Sequence, residues 1–260
     1  MTGRGLVEQV TRYPNAAAAA VQLLRSIEGL PVERALVLES LCYGMLQGSA
    51  EHITWLAHMR PHISKPKPTG TIVTTREDRV LRVVIDRGPL NAIDRGLRDG
   101  LYEAFSIATL DPEIERVELR SAGWVFSIGA DLAEFGTTRD PAVAHRIRSL
   151  TLPAHPLSRR PEIVHAHIPG PCIGAGLEMA AFAGRVTASP HAWFQLPELP
   201  MGLIPGAGGC VSVSRRIGRQ RAALMILSGR RINAAIALRW GLIDAIEDLP
   251  PIDPGSADGD

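Results

Sequence analysis

Several signals that would mark a specialised protein are weak in this sequence of 260 residues. Its three cysteines, Cys42, Cys172 and Cys210, are widely spaced and form no CxxC pair, so neither a disulfide framework nor a zinc cluster is predicted. Lys and Arg number 28 and Asp and Glu 27, a balance that argues against a nucleic-acid partner. No stretch approaches about 20 uninterrupted apolar residues and the N-terminus is polar. We therefore expect no membrane partner and a cytoplasmic location.

Common phosphate-binding, nucleophile and metal motifs are also missing. The sequence has no GxxxxGK[ST] loop, no GxGxxG followed by an acidic residue, no GxSxG elbow and no HExxH. His165 and His167 share one face of a predicted strand, where a packed or hydrogen-bonded pair is commoner than a metal site. We expect no bound metal.

Residues 1–62 predict a helical module. Asn15 is placed to cap a first helix, Pro31 to open a second and Ser49 to cap a third. The second helix carries an apolar stripe, which predicts a partner surface for it. The stripe consists of Ala35, Leu38, Cys42 and Met45, widened by Leu41 and Leu46. Residues 63–70, rich in proline and lysine, predict a linker.

Residues 71–248 predict an α/β core. Short β-rich runs at 71–75, 80–86, 117–121 and 162–168 alternate with helix-length segments such as 95–109. Asn233 is placed to cap a late helix that Gly241 ends. The polar, Pro/Gly-rich residues 249–260 predict a disordered tail.

Two small-residue turns, in SIGAD (127–131) and GPCIGAG (170–176), lead towards helices. The first N–H groups of a helix have no intrahelical acceptor and favour a negative oxygen, so an oxyanion site is one interpretation of these turns. Simple chain reversal is the other, because glycine is common wherever a chain turns.

Taken together, PLNAID (89–94), GWVFSIGADLAEF (123–135) and the run GPCIGAGLEMAAFAGRVTASPHAWFQLPELPMGLIPGAGG (170–209) resemble the crotonase, or enoyl-CoA hydratase/isomerase, superfamily. The resemblance covers residues 71–248, and PELPMGLIPGAGG keeps the spacing of the family's last motif. It implies a ββα spiral fold and a substrate that is a thioester of coenzyme A or of an acyl-carrier protein. No cofactor is implied beyond the coenzyme A of the substrate.

The resemblance also implies roles for individual residues. The backbone N–H groups of Ala130 and Ala175 would form the oxyanion hole, although the family usually has Gly at the position of Ala175. Glu178 and Glu198 fall at the positions of the two catalytic glutamates, while Asp131 and Glu134 are weaker candidates for catalysis that we interpret as structural. The implied substrate-binding residues are Asn91, Ala92, Ile128, Gly129, Asp131, Leu132, Gly174 and Gly206.

Some positions depart from the family pattern. Pro169 replaces a common Asn, Gly184 replaces a usual Asp, and CVSVSRRIG follows GAGG where a TQRL-like stretch is typical. These departures predict a substrate preference that differs from that of the family. Four aromatic residues near the motifs fit either an acyl pocket or the core, namely Trp124, Phe126, Trp193 and Phe194.

Residues 7–62 resemble the three helices that follow the core in family members. A circular permutation, with that module moved to the N-terminal end of the core, would explain the order, and an unrelated interaction module is the alternative. In the family these helices face neighbouring subunits, so the resemblance implies a homotrimer or homohexamer.

The predicted activity is hydration of an enoyl thioester. Isomerisation, decarboxylation or thioester hydrolysis on the same fold, and non-catalytic acyl-CoA binding by a scaffold protein, are the alternatives, because the fold alone does not separate them.

Overall fold

The structure, a computed structural model, describes residues 3–60, 69–250 and 252. Most of the predicted linker and most of the predicted tail lie outside these residues. The helices are α1 Gly3–Arg12, α2 Pro14–Ser26, α3 Val32–Gln47, α4 Ala50–Met59, α5 Arg95–Leu110, α6 Pro141–Thr151, α7 Ala154–Leu157, α8 Ala175–Ala180, α9 Gly209–Ile217, α10 Arg219–Ser228 and α11 Ala234–Trp240. The strands are β1 Thr71–Glu77, β2 Val80–Asp86, β3 Arg116–Ser121, β4 Val164–Ile168, β5 Pro171–Ile173, β6 Arg185–Ala188, β7 Trp193–Gln195, β8 Ile232–Asn233 and β9 Ala245–Ile246.

Two sheets organise the core. The larger has the order β1-β2-β3-β4-β6-β9, in which only the β1–β2 pair is antiparallel among the described strands. The smaller has the order β5-β7-β8, with β5 and β7 parallel and β8 antiparallel to β7. The predicted α/β class is confirmed.

Local sequence accounts for the first unit of the core. In β2 the β-branched residues Val83, Val84 and Ile85 are buried, as expected for a strand covered by other elements. The Asp94 carboxylate accepts a hydrogen bond from the Leu97 N–H at 2.9 Å and caps α5. One apolar face of α5 then packs on β1 and β2.

The N-terminal module has four helices in the described residues, and the three predicted ones omitted α1. The Ser49 cap is confirmed, because its hydroxyl accepts from the His52 N–H at 3.2 Å. The Asn15 cap is wrong. Helix α2 starts at Pro14, and the Asn15 N–H donates instead to Oε1 of Glu51 on α4, at 2.8 Å.

The four N-terminal helices pack on the core. Helix α1 lies against α10, α2 against α9 and α10, α3 against α6 and α9, and α4 against the 3-10 turn Leu199–Met201. The stripe predicted on α3 to need a partner surface is divided: Ala35 and Leu46 are buried, whereas Leu38, Leu41 and Met45 are exposed. The buried face of α3 consists of Ala35, Leu36, Glu39, Ser40, Gly44 and Leu46.

The described ends of the predicted linker and tail contact the core. The Gly70 N–H donates to the Asp94 carboxylate at 2.9 Å. The Pro250 carbonyl accepts from Arg120, and Ile252 forms a parallel bridge with Ala122 beyond β3.

Two absences can be stated for residues 3–60, 69–250 and 252. No helix there is long and apolar enough to cross a membrane. No group of three or more His, Cys, Asp or Glu side chains there is arranged to hold a metal ion. His167 is hydrogen-bonded to the Thr187 hydroxyl at 2.8 Å.

Candidate active site

The two small-residue turns predicted to form an oxyanion site lie against each other. The Ile173 N–H donates to the Ser127 carbonyl at 2.9 Å and joins the two segments. Gly129 has a φ of 96°, and a Cβ atom on it would lie 3.7 Å from the backbone nitrogen of Ala175. The two turns are therefore in van der Waals contact, and glycine permits both this approach and the positive φ.

The backbone N–H groups of Ala130 and Ala175 lie at this junction. Neither donates a hydrogen bond to the protein among the residues that the structure describes. The unusual backbone conformation falls on Gly174, with φ 47° and ψ −126°, whereas Ala175 is the first residue of α8. An alanine at 175 is thus compatible with the turn, because the residue in the strained conformation is a glycine.

Glu178 lies on α8, and both its carboxylate and its backbone carbonyl accept hydrogen bonds from later residues of the chain. Its Oε2 accepts hydrogen bonds from the N–H groups of Ala207, at 2.6 Å, and Gly209, at 2.9 Å. Its own carbonyl accepts from the Ser212 hydroxyl at 2.7 Å. Burial raises the pKa of Glu178 to about 7, against the lowering effect of the two N–H donors. One carboxylate oxygen is therefore anchored, and the group titrates near neutrality.

Glu198 approaches the same turn from the start of the 3-10 turn Leu199–Met201. A Cβ atom on Gly174 would lie only 2.8 Å from its Oε1, so a larger residue at 174 would displace this carboxylate. Its Oε2 is buried and has no hydrogen-bond partner among the described residues. Burial, and then the charges of Glu178 and Glu39, raise the pKa of Glu198 well above its ordinary value.

The PLNAID segment runs beside the SIGAD turn. The Ile93 N–H donates to the Gly129 carbonyl at 2.8 Å, and the Asp131 N–H donates back to the Ile93 carbonyl at 2.9 Å. Asn91 is fully buried, and its side chain accepts from the Arg87 N–H and donates to two loop carbonyls. The Asn91 side chain thus fixes the loop and has these partners within the protein.

Arg87 is a site residue that sequence reasoning missed. It is 9% exposed and forms ion pairs with Asp94 at 3.0 Å and Asp131 at 2.7 Å. These carboxylates lie on the PLNAID and SIGAD segments, so one guanidinium joins both. The other oxygen of Asp131 accepts from the Ala133 N–H, and Glu134 accepts from the Arg95 N–H. No motif pointed to Arg87.

Glu39, on α3, is the second residue that sequence reasoning missed. It is 1% exposed, and its two oxygens accept from the N–H groups of Gly208, at 2.6 Å, and Cys210, at 2.8 Å. The only sequence signal that could have identified Glu39 is the presence of a carboxylate in the middle of an apolar helix. Tyr43, one turn further along α3, packs on Gly206, where a Cβ atom would lie 2.2 Å from the ring. A larger residue at 206 would clash with Tyr43, so the glycine allows α3 to pack closely on this part of the core.

The other predicted residues occupy different surroundings. Ala92 and Leu132 are half-buried, and Ile128 is exposed beside them. Phe126 and Phe194 are fully buried in the core, whereas Trp124 is exposed. Trp193 is half-buried beneath the Arg231 guanidinium, 4.0 Å from its ring centre.

Gly184, a departure from the family pattern, has a steric reason. A Cβ atom there would lie 2.6 Å from the Pro161 carbonyl oxygen, which accepts a hydrogen bond from the Gly184 N–H. An aspartate does not fit this position.

The geometry brings two buried carboxylates with raised pKa values next to two N–H groups that have no described acceptor. Such a group of residues can exchange protons with a ligand at near-neutral pH and can stabilise negative charge on its oxygen.

Known proteins share this core. Residues 75–249 match the family profile described as enoyl-CoA hydratase/isomerase. The 2,3-dehydroadipyl-CoA hydratase of Escherichia coli (strain K12) is 31% identical over 176 residues, covering 67% of this chain and 68% of the relative. An enoyl-CoA isomerase/hydratase of Mycosarcoma maydis is 34% identical over 177 residues, covering 64% and 65%. The crystal structure of an enoyl-CoA hydratase from Bacillus anthracis superposes with a TM-score of 0.62 at 28% identity, covering 68% of this chain and 70% of that one.

Proposed function

Because this chain belongs to the enoyl-CoA hydratase/isomerase family and is an enzyme of that family, we propose that its active site adds water across the 2,3 double bond of an enoyl thioester. The observation that carries this proposal is the pair of buried carboxylates, Glu178 and Glu198, beside the turn at Gly174. Hydration requires one group that accepts a proton from water and another that delivers a proton to carbon.

The thioester carbonyl would lie between the N–H groups of Ala130 and Ala175. Attack of water on the β-carbon moves negative charge onto the carbonyl oxygen and forms an enolate. Fixed N–H donors stabilise that charge as it develops, and they need no reorganisation during the step. The contact between the Gly129 and Gly174 turns supports this arrangement, because it holds the two donors side by side.

The different surroundings of the two carboxylates suggest their roles. Glu178, whose pKa is raised to about 7, is largely available as a carboxylate near neutral pH and takes the proton of the attacking water. Glu198 has a pKa well above its ordinary value, and its Oε2 has no described hydrogen-bond partner, so it holds the proton that is delivered to the α-carbon.

The substrate we propose is a coenzyme A thioester, with a carrier-protein thioester as the alternative. A panel of short, long and aromatic enoyl-CoAs, followed by loss of the absorbance of the conjugated thioester, tests the reaction. Hydration of at least one member supports the proposal. Tight binding of the panel without turnover would favour a scaffold, and conversion of 3-enoyl to 2-enoyl thioesters without hydration would favour an isomerase.

We also propose that the chain is circularly permuted, with the module 1–62 and the linker 63–70 preceding the core 71–248. Packing supports this proposal. Helix α3 supplies Glu39 beside Glu178, and on α4 the His52 ring bonds the Met201 carbonyl at 2.8 Å, three residues after Glu198. An independent interaction module would have no reason to contact both catalytic segments.

We propose a homotrimer or homohexamer as the assembly. Support comes from a row of apolar side chains along the outer face of α3. This α3 row consists of Val37, Leu38, Leu41 and Met45, which are 36–62% exposed. Contiguous exposed apolar surface of this kind is typical of an interface between subunits.

A further inference from the structure

Four consecutive backbone N–H groups, those of residues 207–210, donate alternately to two different carboxylates. The N–H groups of 207 and 209 donate to Oε2 of Glu178. The N–H groups of 208 and 210 donate to the two oxygens of Glu39, at 2.6 and 2.8 Å. We call residues 207–210 the shared loop. While the N–H groups of 207 and 209 face Glu178, those of 208 and 210 face the opposite side of the loop, where Glu39 lies.

The charged and titratable groups around this pair come from several elements. Glu39 lies near Glu178 and Cys210, which belong to the core, and near Arg148, which belongs to α6. Cys42 lies on the same helix as Glu39. Arg148 reaches towards Glu39 by donating to the hydroxyl and the carbonyl of Ser40. Glu178 has Glu39 and Tyr43 on the α3 side and Glu198 on the other.

Burial and the charge of Glu178 raise the pKa of Glu39, while N–H donors lower it. Two buried carboxylates on one row of donors oppose each other's ionisation, because like charges repel strongly where water is excluded. The charge of Glu178 therefore favours the protonated form of Glu39, while the N–H groups of 207 and 209 favour the ionised form of Glu178.

We propose that Glu39 is a positioning residue for Glu178, which fixes the shared loop and sets the pH range in which Glu178 is a base. This inference rests on the proposed hydration. Glu39 touches neither the turn at Gly174 nor the N–H groups of Ala130 and Ala175 in the described contacts, so it acts through Glu178.

The test compares Glu39→Gln with the wild type. Glutamine keeps the shape but loses the charge, and its amide nitrogen must face one of the N–H donors. We expect kcat to fall by about 10- to 100-fold, because small displacements of a catalytic group have large effects on rate. KM should stay within about threefold. The acid limb of the pH profile of kcat should move to higher pH, because a displaced shared loop weakens the two N–H bonds that lower the pKa of Glu178.

Two further variants separate charge, geometry and folding. Glu39→Asp keeps a carboxyl group but is too short to reach both donors, so kcat should fall and the acid limb should move in the same direction as in Glu39→Gln. Ser40→Ala is the matched control, because Ser40 is a buried neighbour on α3 that bonds Arg148 and His145 and not the shared loop. It should change thermal stability while leaving the pH profile in place.

An acid limb that stays in place in Glu39→Gln would overturn the inference, and so would a KM that rises in step with the fall in kcat. Infrared titration of the protonated carboxyl band, which needs no turnover, should show a carboxyl group that ionises at higher pH in Glu39→Gln than in the wild type; an unchanged titration would also overturn it. A wild type that hydrates no enoyl-CoA contradicts the proposed function, whereas the infrared result tests the coupling by itself.

Discussion

Within Glu178 the two carboxylate oxygens have different surroundings. Oε2 takes both backbone hydrogen bonds, whereas Oε1 accepts none from the described residues. The anchored oxygen fixes the orientation of the group, and the other is left to interact with a water molecule. A base held in this way loses little conformational freedom when the substrate arrives.

Replacing either of the two proposed catalytic glutamates by glutamine should abolish most of the activity. Glu178→Gln and Glu198→Gln each keep the side-chain shape and remove one proton-transfer group. We expect kcat to fall by about 10²- to 10⁴-fold in each, with thioester binding nearly unchanged. Steady-state kinetics and calorimetric titration with an enoyl-CoA measure the two effects.

Glu134→Gln is the matched control for these variants, because Glu134 accepts only from the Arg95 N–H in the described contacts. It should retain near wild-type kcat. If only one of the two catalytic variants loses activity, a single-base isomerase becomes the better interpretation; if neither does, the assignment of both residues is wrong.

The raised pKa of Glu178 should make folding stability depend on pH. Folding favours the protonated form, since the pKa rises from an ordinary 4.5 to about 7. The contribution is complete below about pH 4.5 and is lost as the pH rises through about 7. The free energy of unfolding should therefore fall between about pH 5 and pH 8 by an amount on the order of 3 kcal/mol from this group. Urea denaturation at both pH values measures it, and an equal fall in Glu178→Gln would contradict the assignment.

At the residue scale, the site residues that could be predicted from the sequence are those that lie inside short motifs. Glu178, Glu198 and the glycine turns lie inside recognisable segments, and the structure brings these segments together. Glu39 could not be predicted in the same way, because it meets the shared loop from 169 residues away in sequence. Arg87 is likewise defined by partners on two separate segments.

At the scale of elements, the PLNAID and SIGAD segments form one unit. Backbone hydrogen bonds join them through Ile93, and the Arg87 guanidinium ties their carboxylates together. In family members these segments contact coenzyme A, so their joint position should control binding of the thioester more than the chemical step.

Arg87→Met should therefore weaken coenzyme A binding and destabilise the fold. Removing the guanidinium breaks its ion pairs with Asp94 and Asp131, which should cost about 3 kcal/mol of stability. Loosened loops should lower the affinity for CoA about tenfold, or about 1.4 kcal/mol. Calorimetric titration with CoA and acetyl-CoA, together with denaturant unfolding, measures both.

Arg98→Met provides the comparison, because Arg98 pairs only with its neighbour Asp99 near the start of the same α5 helix. It should leave both quantities close to wild type. Equal effects of the two substitutions would show that Arg87 has no special role. If the wild type binds no CoA at millimolar concentration, a carrier-protein substrate becomes the preferred interpretation.

Element prediction succeeded where local signals and burial agree. The range of β2 was predicted as it is found, and α5 was placed to within one residue, because Asp94 caps the helix and an apolar face follows. Which residues of α3 face the core could not be predicted from the apolar stripe, for a physical reason. Tertiary contacts turn Glu39 and Ser40 inward, where N–H groups and Arg148 satisfy them, and leave Leu41 and Met45 outside.

At the scale of the whole molecule, the exposed α3 row should drive assembly. Leu41→Glu with Met45→Glu places charge in the proposed interface and should convert the oligomer to monomers. Light scattering measures the mass. Leu110→Glu is the control, because Leu110 is 79% exposed on α5 and away from the row. A wild type that is monomeric at micromolar concentration would refute the proposed assembly.

Reordering the chain tests the permutation. Moving residues 1–62 to follow residue 248 through a flexible linker should give a folded enzyme with kcat within about tenfold of wild type, since the same contacts can form. Circular dichroism and the hydration assay measure fold and activity. The control has the same linker at the new C-terminus but lacks residues 1–62, and it should be inactive because the core loses all the helices that pack on it from the N-terminal module, with Glu39 among their residues. A reordered chain that fails to fold would count against the permutation.

The sequence distance between Glu39 and the shared loop has a consequence during synthesis. The ribosome makes α3 first and residues 208 and 210 some 169 and 171 residues later. At roughly 5–20 residues per second, about 10–30 s pass between the synthesis of α3 and that of the later part of the chain, against which Ala35, Leu36 and the Glu39 carboxylate are buried. Throughout that interval the N-terminal helices present an apolar face to the cell, so nascent chains of this protein should be substrates for chaperones that bind at the ribosome.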